Sequence, residues 1–531
     1  MRRDPEKLGS GPFDLLVIGG GIYGAWTAYD AALRGLKVAV IDKNDWASGT
    51  SSASSKLIHG GLRYLQQFRL GLVRKSLDER KRLTALAPHR VTPLRFLIPL
   101  YGDSSVGPLR LRTGLSLYDL LAGKGQPVNR HGQLKRSEVE RDYPFLRVKG
   151  LKAAYTYGDC QMDDFRFVLE IIHGAHKAGA VTVNYAKATE LMFEGSRVVG
   201  ATVTDQITKA SLPVNASVVV NTAGPWIPEL SGHGSGEPMI RLTKGVHLVM
   251  PPLPTDDAML IMVKRDNRIF FILPWYGKTL LGTTDTDYAG RPDDLRVEEG
   301  DVDYLLTEAN RVFREKVWDR EAIQGAFAGL RALRNEPGKS PSAVTREWSA
   351  AEPRERLLVS VGGKYTSARA DAAVLVDRVL AMLGRRPVKE PSTATRPFPW
   401  SPGMPFPQWR QRMVEIGRDL GLDEAASESA ARRYGTEVEK IFRMIRQEPE
   451  LADPVVPGLP FTKAEIVHGA SVEMTVHLED LLRRRLPLLI LARVTRQTLV
   501  DAAALAAPIL NWSPERCLRE VDATASRWQI R

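Results

Sequence analysis

The chain has 531 residues, which at roughly 150 residues per domain allows two to four domains. Apolar residues make up 43% and charged residues 26%, a globular balance that excludes disorder, collagen and coiled coil as global descriptions. Lysine and arginine number 74 against 62 aspartates and glutamates, a net charge of +12, which points to anionic partners: a phosphorylated substrate, an acidic membrane face or nucleic acid.

Only two cysteines are present, Cys160 and Cys517, too far apart for a metal or redox motif and too few for a disulfide framework. The longest apolar candidate, residues 486–510, is broken by Arg493, Arg496 and Asp501, so no spanning helix is expected. No apolar run follows the charged residues at the N-terminus, so no signal peptide is expected. A reducing cytoplasmic setting fits best.

Residues 14–18 form an apolar run that stops at glycines, the pattern of a buried strand. Residues 22–34 are alanine-rich with helical spacing, ended by Gly35, and residues 37–41 form a second buried strand closed by Asp42. This βαβ opening makes its two strands parallel neighbours. Further along, residues 180–185, 198–203, 217–221 and 357–361 read as strands, and 165–177 and 366–383 as helices. Seven prolines between Gly384 and Trp409 mark a linker. Residues 409–531 are rich in Ala, Leu, Arg and Glu and read as a separate helical domain.

Gly19-Gly20-Gly21-Ile22-Tyr23-Gly24 fits G-x-G-x-x-G between a strand and a helix. Gly19 permits the tight turn, Gly21 lets the backbone approach a pyrophosphate, and Gly24 lets helix and strand pack closely. The helix N-terminus presents N–H groups and a positive dipole end to phosphates, and Asp42 can accept hydrogen bonds from a ribose diol. This fingerprint alone does not separate NAD from FAD. Two further stretches bear on the choice. In residues 48–65, small hydroxyl residues and glycines let the backbone run against a large planar ligand. In residues 221–226, a buried strand ends at Thr222, Ala223 and Gly224.

Together with Lys244-Gly245-Val246-His247, the run 282–287, Gly329-Leu330-Arg331, Ala343-Val344-Thr345-Arg346-Glu347 and Gly362-Gly363-Lys364, these pieces resemble the FAD-dependent glycerol-3-phosphate dehydrogenases. These lie within the larger family of FAD-linked oxidoreductases that includes glycine and sarcosine oxidases. The serine-rich run ending Lys56-Leu57-Ile58-His59-Gly60-Gly61-Leu62-Arg63-Tyr64-Leu65 is the most specific piece. The resemblance implies an α/β fold: a Rossmann-like FAD-binding domain with an interleaved mixed-sheet substrate domain over residues 12–383, a Pro-rich linker over 384–408, and an all-α cap over 409–531.

It also implies roles for particular residues. Gly19, Gly21 and Gly24 would hold the FAD pyrophosphate, and Asp42 the ribose, where many relatives carry Glu. Thr50, Ser51, Ser54, Ser55, Leu57 and His59 would line the flavin. Ala188 would stand at the adenine, where relatives often use a valine backbone, and Gly224 would lie under the cofactor. Gly363, Lys364 and Thr366 lead into a helix whose dipole would face the flavin pyrimidine end. The implied substrate is sn-glycerol 3-phosphate, oxidised at C2 to dihydroxyacetone phosphate by hydride transfer to flavin N5. Arg63, Arg331 and Arg346 would clamp its phosphate, because guanidinium pairs with phosphate bidentately and stays charged. Tyr64 would position the substrate. His247 suits a general base, with His59 its rival and Lys364 an alternative; Arg331, His247 and Lys364 form the expected catalytic set. Asp285 and Asp287 are read as turn and cap residues rather than metal ligands.

For the electrons, the resemblance favours a membrane quinone, with oxygen as the alternative acceptor. The basic and apolar segments 62–86 and 94–121 fit an anionic membrane surface. A cytoplasmic enzyme attached peripherally to the inner face of the cell membrane is therefore expected, and a homodimer is left open. Two rival readings stand beside it: a flavin oxidase acting on an amine or hydroxy acid, and a nucleotide-bound protein whose Arg432-Arg433 and Arg483-Arg484-Arg485 bind nucleic acid. No nucleic-acid-binding signature accompanies those arginines, and a solvated basic face is the reading preferred for them.

Overall fold

The structure is a computed structural model that describes residues 1–231, 238–263, 268–339, 344–386 and 392–530. β1 (Phe13–Ile18) is apolar on both faces from Leu15 onward, and it lies between β2 (Val38–Ile41) and the strand Ser211–Asn221, parallel to both. Leu357–Gly362 and Val181–Val183 extend the parallel set on either side, and Trp348–Arg354 closes one edge antiparallel. A sheet buried on both faces needs continuous apolar strands, which is what these segments supply.

The helix α1 (Ile22–Leu33) covers one face. Its Ala25, Ala28 and Ala31 are small enough to let it sit between the sheet and the helices Asp164–Lys177 and Ala368–Met382. The antiparallel strands Ala186–Glu194 and Arg197–Asp205 continue from Ser211–Asn221 and pack on the other face.

A second, mixed sheet carries the other half of the site. Its long strand Ile240–Met250 pairs antiparallel with Gly325–Arg334 and with Lys278–Gly282. The register sets Thr243 opposite Arg331, Gly245 opposite Gly329 and His247 opposite Phe327. Directly paired residues share a face, so Arg331, His247 and two bare glycines form one strip.

The first part of the segment 94–121, expected at a membrane interface, is instead an inner strand of this sheet (Thr92–Tyr101), between Ala258–Met262 and Leu151–Gln161. Its apolar side chains from Phe96 to Leu100 are buried in the cores on either side. In the segment 62–86, the helix Leu70–Leu86 packs Val73, Leu77 and Leu83 inward, and Arg80 is buried in an ion pair with Asp159. It is an ordinary core-packed amphipathic helix.

Past the proline-rich stretch, the C-terminal region is helical: Phe406–Asp419, Glu424–Tyr434, Val438–Gln447, Lys463–Val472, Arg496–Leu510 and Pro514–Trp528. Pro387 and Pro391 lie outside the described residues. The rest of that stretch is anchored: Phe398 packs edge-on against Trp26 and Phe167, and the Trp400 N–H donates to Glu170 at 2.7 Å. Among the described residues no helix is long and apolar enough to cross a membrane.

Candidate active site

A cavity of about 420 Å³ runs from the β1–α1 turn to the strip on the second sheet. At its first end Gly19 has φ +103°, and a Cβ there would lie 2.8 Å from the Thr222 carbonyl oxygen. A Cβ on Gly24 would strike the Gly19 carbonyl, so these two positions admit only glycine. The Thr222 hydroxyl donates to the carbonyls of Ile18 and Gly19, both at 2.9 Å, fixing the turn. Asp42 accepts from the N–H groups of Gly20 (2.7 Å) and Asn44 (2.9 Å). Burial still pushes its carboxyl up to about 6, outweighing those two bonds, so the group can accept further hydrogen bonds from a polar ligand in the cavity. Gly21 caps α1 with no side-chain bond, and both Gly21 and Ile22 line the cavity. The Ser51 hydroxyl takes the Ile22 N–H at 2.9 Å, while the positive end of the helix dipole faces the cavity. The glycine cradle, the helix start and the carboxylate fit a dinucleotide.

Ala188 and Gly224 border the same cavity, with Lys43 lying 4.3 Å over the Trp226 ring nearby. The hydroxyls of the 50–55 loop are largely engaged within the protein. Thr50 donates to the Leu330 carbonyl (2.5 Å), Ser51 accepts from Ile22 N–H (2.9 Å), and Ser54 donates to Asp164 (2.8 Å). These residues border the cavity with their hydroxyls turned to structural work. Asp164 also pairs with the buried Lys56 at 2.6 Å, a partnership the sequence did not suggest. Leu57 lines the cavity, and the His59 N–H donates to the Thr366 hydroxyl at 3.1 Å. Burial, then the charges of Lys364 and Arg80, draw His59 down to about 3, so it is neutral.

Gly362 and Gly363 have φ +72° and +98°, and a Cβ on Gly363 would collide with the Tyr23 hydroxyl. The following helix starts at Ala368 with Ser367 before it, two residues later than expected. Lys364 therefore stands in a turn ahead of the helix. Its Nζ donates to the Ser76 hydroxyl at 2.8 Å and lies 4.6 Å over the Tyr64 ring. Burial lowers it to about 7, against the opposing pull of Asp159 and Asp371.

At the far end Arg63, Arg331 and Arg346 converge on Asp285. Arg331 Nη1 lies 3.2 Å and Arg346 Nη2 3.0 Å from the two carboxylate oxygens, and Arg63 acts on the same charge. Burial raises the Asp285 carboxyl, but Arg331, Arg346 and Arg63 outweigh it and hold it below the usual range. Asp285 is therefore a buried counter-ion rather than a turn or cap residue; only Asp287 stays near the surface, paired with Arg241. Its signal was its place in Gly282-Thr283-Thr284-Asp285, but its partners are distant in sequence. Arg331 is drawn down to about 10, by burial first and then by Arg346 and Arg63, against Asp285.

Gly245 leaves the space in which the Arg331 guanidinium lies: a Cβ there would be 2.7 Å from Nη1 and 2.6 Å from the Thr283 hydroxyl. His247, two residues on, stacks on Phe327 (centroids 4.9 Å, 14°) and meets the Ser55 hydroxyl at 2.8 Å through Nε2. Burial, then Lys56 and Arg331, hold it well below the usual histidine range, so it is neutral. Lys244 turns away, to Glu298 and Asp301. The three arginines 483–485 are buried rather than forming a solvated basic face.

Comparison with known proteins accords with this geometry. Residues 14–364 match the FAD dependent oxidoreductase family, and residues 395–517 match the C-terminal domain of alpha-glycerophosphate oxidase. The chain belongs to the FAD-dependent oxidoreductases; it is an enzyme, and FAD is its cofactor.

Within that family its relatives are glycerol-3-phosphate dehydrogenases. The one from Synechocystis is 35% identical, covering 98% of this chain and 97% of that protein. The aerobic enzyme of Staphylococcus saprophyticus is 34% identical over 89% of this chain and 86% of its own. The crystal structure of the Bacillus halodurans glycerol-3-phosphate dehydrogenase, complexed with FAD, superposes with a TM-score of 0.79 at 28% identity, covering 98% of this chain and 96% of that one.

Proposed function

We propose that this enzyme oxidises sn-glycerol 3-phosphate to dihydroxyacetone phosphate. Bound FAD supplies the acceptor for the hydride that leaves C2. The observation that carries the reading is the pair Arg331 and Arg346 held on one buried carboxylate, with the Arg63 charge nearby, in the same cavity as the glycine cradle. Two guanidiniums sharing one carboxylate, with the Arg63 charge acting on the same group, make this end of the cavity positive, the complement of a phosphate dianion. A carboxylate substrate needs less, which disfavours an amine or hydroxy-acid oxidase.

In this reading Arg331 and Arg346 grip the ester, with Arg63 beside them, and Tyr64 packs against the glycerol. His247 is neutral and can accept the C2 hydroxyl proton at Nε2 once Ser55 yields its hydrogen bond. The Lys364 ammonium supplies positive charge where negative charge accumulates. Gly19, Gly21 and Asp42 hold the nucleotide half of the cofactor, and Ala188 and Gly224 border it. The Gly363 turn brings Lys364 to the other half.

A membrane quinone as electron acceptor is supported by the outer surface. Phe68 is 85% exposed, Leu109 78% and Leu120 76%. The helix Pro108–Ala122 carries the two leucines on one face with Arg112, and it packs against the Leu62–Gln67 turn that leads to Phe68. Apolar tips among basic residues suit the anionic inner face of a membrane. Oxygen as acceptor is the competing outcome. Anaerobic addition of sn-glycerol 3-phosphate should bleach the flavin, whereas glycerol, glycine and sarcosine should not. Bleaching by glycine but not by the phosphate ester would overturn the assignment. Reoxidation by a quinone analogue against air then decides the acceptor.

A further inference from the structure

We infer that the C-terminal helical region latches the FAD-binding loop through Asp45 and so sets how long the cofactor stays bound. This goes beyond the proposed reaction and rests only on FAD being the cofactor, not on the substrate. Asp45 lies in the loop 42–52 after β2, fully buried. Its carboxylate receives Arg484 Nε at 2.6 Å, Arg485 through both terminal nitrogens (Nη2 at 3.0 Å), and Asn184 Nδ2 at 3.2 Å. Both arginines come from Asp480–Arg485, a wide turn closed by a Leu486 N–H to Leu481 carbonyl bond of 2.8 Å. Such i to i+5 turns recur at functional positions.

The arginines are braced from behind. Arg485 donates to the Glu473 carbonyl (2.6 Å), and Arg484 pairs with Asp480, which accepts from the Tyr185 hydroxyl (2.7 Å). Burial alone would raise Asp45; Arg485 and Arg484 overcome it and keep the carboxyl below its usual range.

From Asp45 the path to the cofactor cradle is short. The next residue, Trp46, is fully buried against Gly20, where a Cβ would collide with its ring. Ala47 N–H donates to the Gly20 carbonyl at 3.2 Å, and Gly20 N–H holds Asp42. At the other end of the loop Arg483 donates to the Ser52 carbonyl at 3.4 Å. Stripping the charge from this buried carboxylate leaves Arg485 without its carboxylate partner and Arg484 with Asp480 alone, an imbalance the loop must move to relieve. That movement shifts Trp46 and with it the turn that meets the pyrophosphate.

The test follows FAD release from the purified holoenzyme, read as recovered flavin fluorescence after dilution. Asp45→Asn should speed release at least tenfold, and Arg484→Gln, which leaves Arg485 in place, by a smaller factor above threefold. Asp45→Glu keeps the charge and should recover most of the retention. The control is Glu465→Gln, which breaks the buried Arg433–Glu465 pair within the C-terminal helices. It should lower the melting temperature yet keep release within twofold of the parent. Release from Asp45→Asn within twofold of the parent would overturn the latch, as would equal acceleration by Asp45→Asn and Glu465→Gln. If Asp45→Asn fails to fold, Arg484→Gln against Glu465→Gln decides by the same criterion.

Discussion

Gly245→Ala is a one-carbon change that tests the phosphate clamp without touching any charged group. Gly245 does not occupy the left-handed region, so alanine brings no backbone strain. The added Cβ would lie 2.7 Å from Arg331 Nη1 and closer still to Nη2, roughly 0.8 Å short of the ~3.5 Å at which unstrained heavy atoms meet. The Thr283 hydroxyl, to which Arg331 Nη2 donates at 3.2 Å, would lie only 2.6 Å from the same Cβ, so the bonded pair is pushed together. The guanidinium must therefore lift off the strand by about 1 Å. A displacement of that size at a substrate-positioning group costs about 10²-fold in rate, or about 2.7 kcal/mol at 1.36 kcal/mol per decade. Stopped-flow reduction of the flavin by sn-glycerol 3-phosphate under anaerobic conditions gives the number, with the oxidised flavin spectrum as the control for cofactor loading. A variant with full flavin and kcat/KM within threefold of the parent would refute the placement of Arg331 over Gly245 as the working arrangement.

Other consequences can be checked in parallel. Burial draws Lys364 to about 7, so its ammonium is complete below that pH and lost above it; kcat/KM should fall as pH rises through 7. Lys364→Arg should remove that limb, and a limb persisting in the arginine variant would contradict the role. Arg346→Gln should lower kcat/KM for the phosphate ester by about 10- to 100-fold, from the ~1.5–3 kcal/mol of a charged hydrogen bond, while leaving the flavin content unchanged; a loss below threefold in the fully loaded variant would contradict the clamp. Replacing the exposed Phe68 and Leu109 by glutamate should cut co-sedimentation with anionic vesicles severalfold at unchanged flavin reduction in solution, and unchanged sedimentation would remove the support for attachment at that surface.

What could be read in the sequence was what short-range pattern dictates. The strand, glycine turn and helix of residues 13–33 follow from an apolar run meeting Gly19, Gly21 and Gly24, and the cavity residues followed from a resemblance carried by contiguous motifs. What stayed hidden depends on partners far along the chain. Asp285 is a counter-ion because Arg331 lies 46 positions away, and Asp45 is buried because Arg485, 440 positions on, neutralises it. Neither pairing leaves a local trace. The Thr92–Tyr101 strand shows the opposite failure: an apolar run with basic residues nearby suits a membrane interface and an inner strand equally, and only its neighbours on both sides decide. Arg483, Arg484 and Arg485 read as a basic run, yet Asp45 and Asp480 neutralise Arg484 and Arg485 in the interior, and Arg483 donates to the Ser52 carbonyl.

The most direct measurement is a crystal structure of the holoenzyme with dihydroxyacetone phosphate. The account predicts the phosphate within hydrogen-bond distance of the Arg331 and Arg346 guanidiniums, and the C2 carbonyl turned toward His247. Phosphate bound away from these arginines, with Asp285 still holding both, would contradict it.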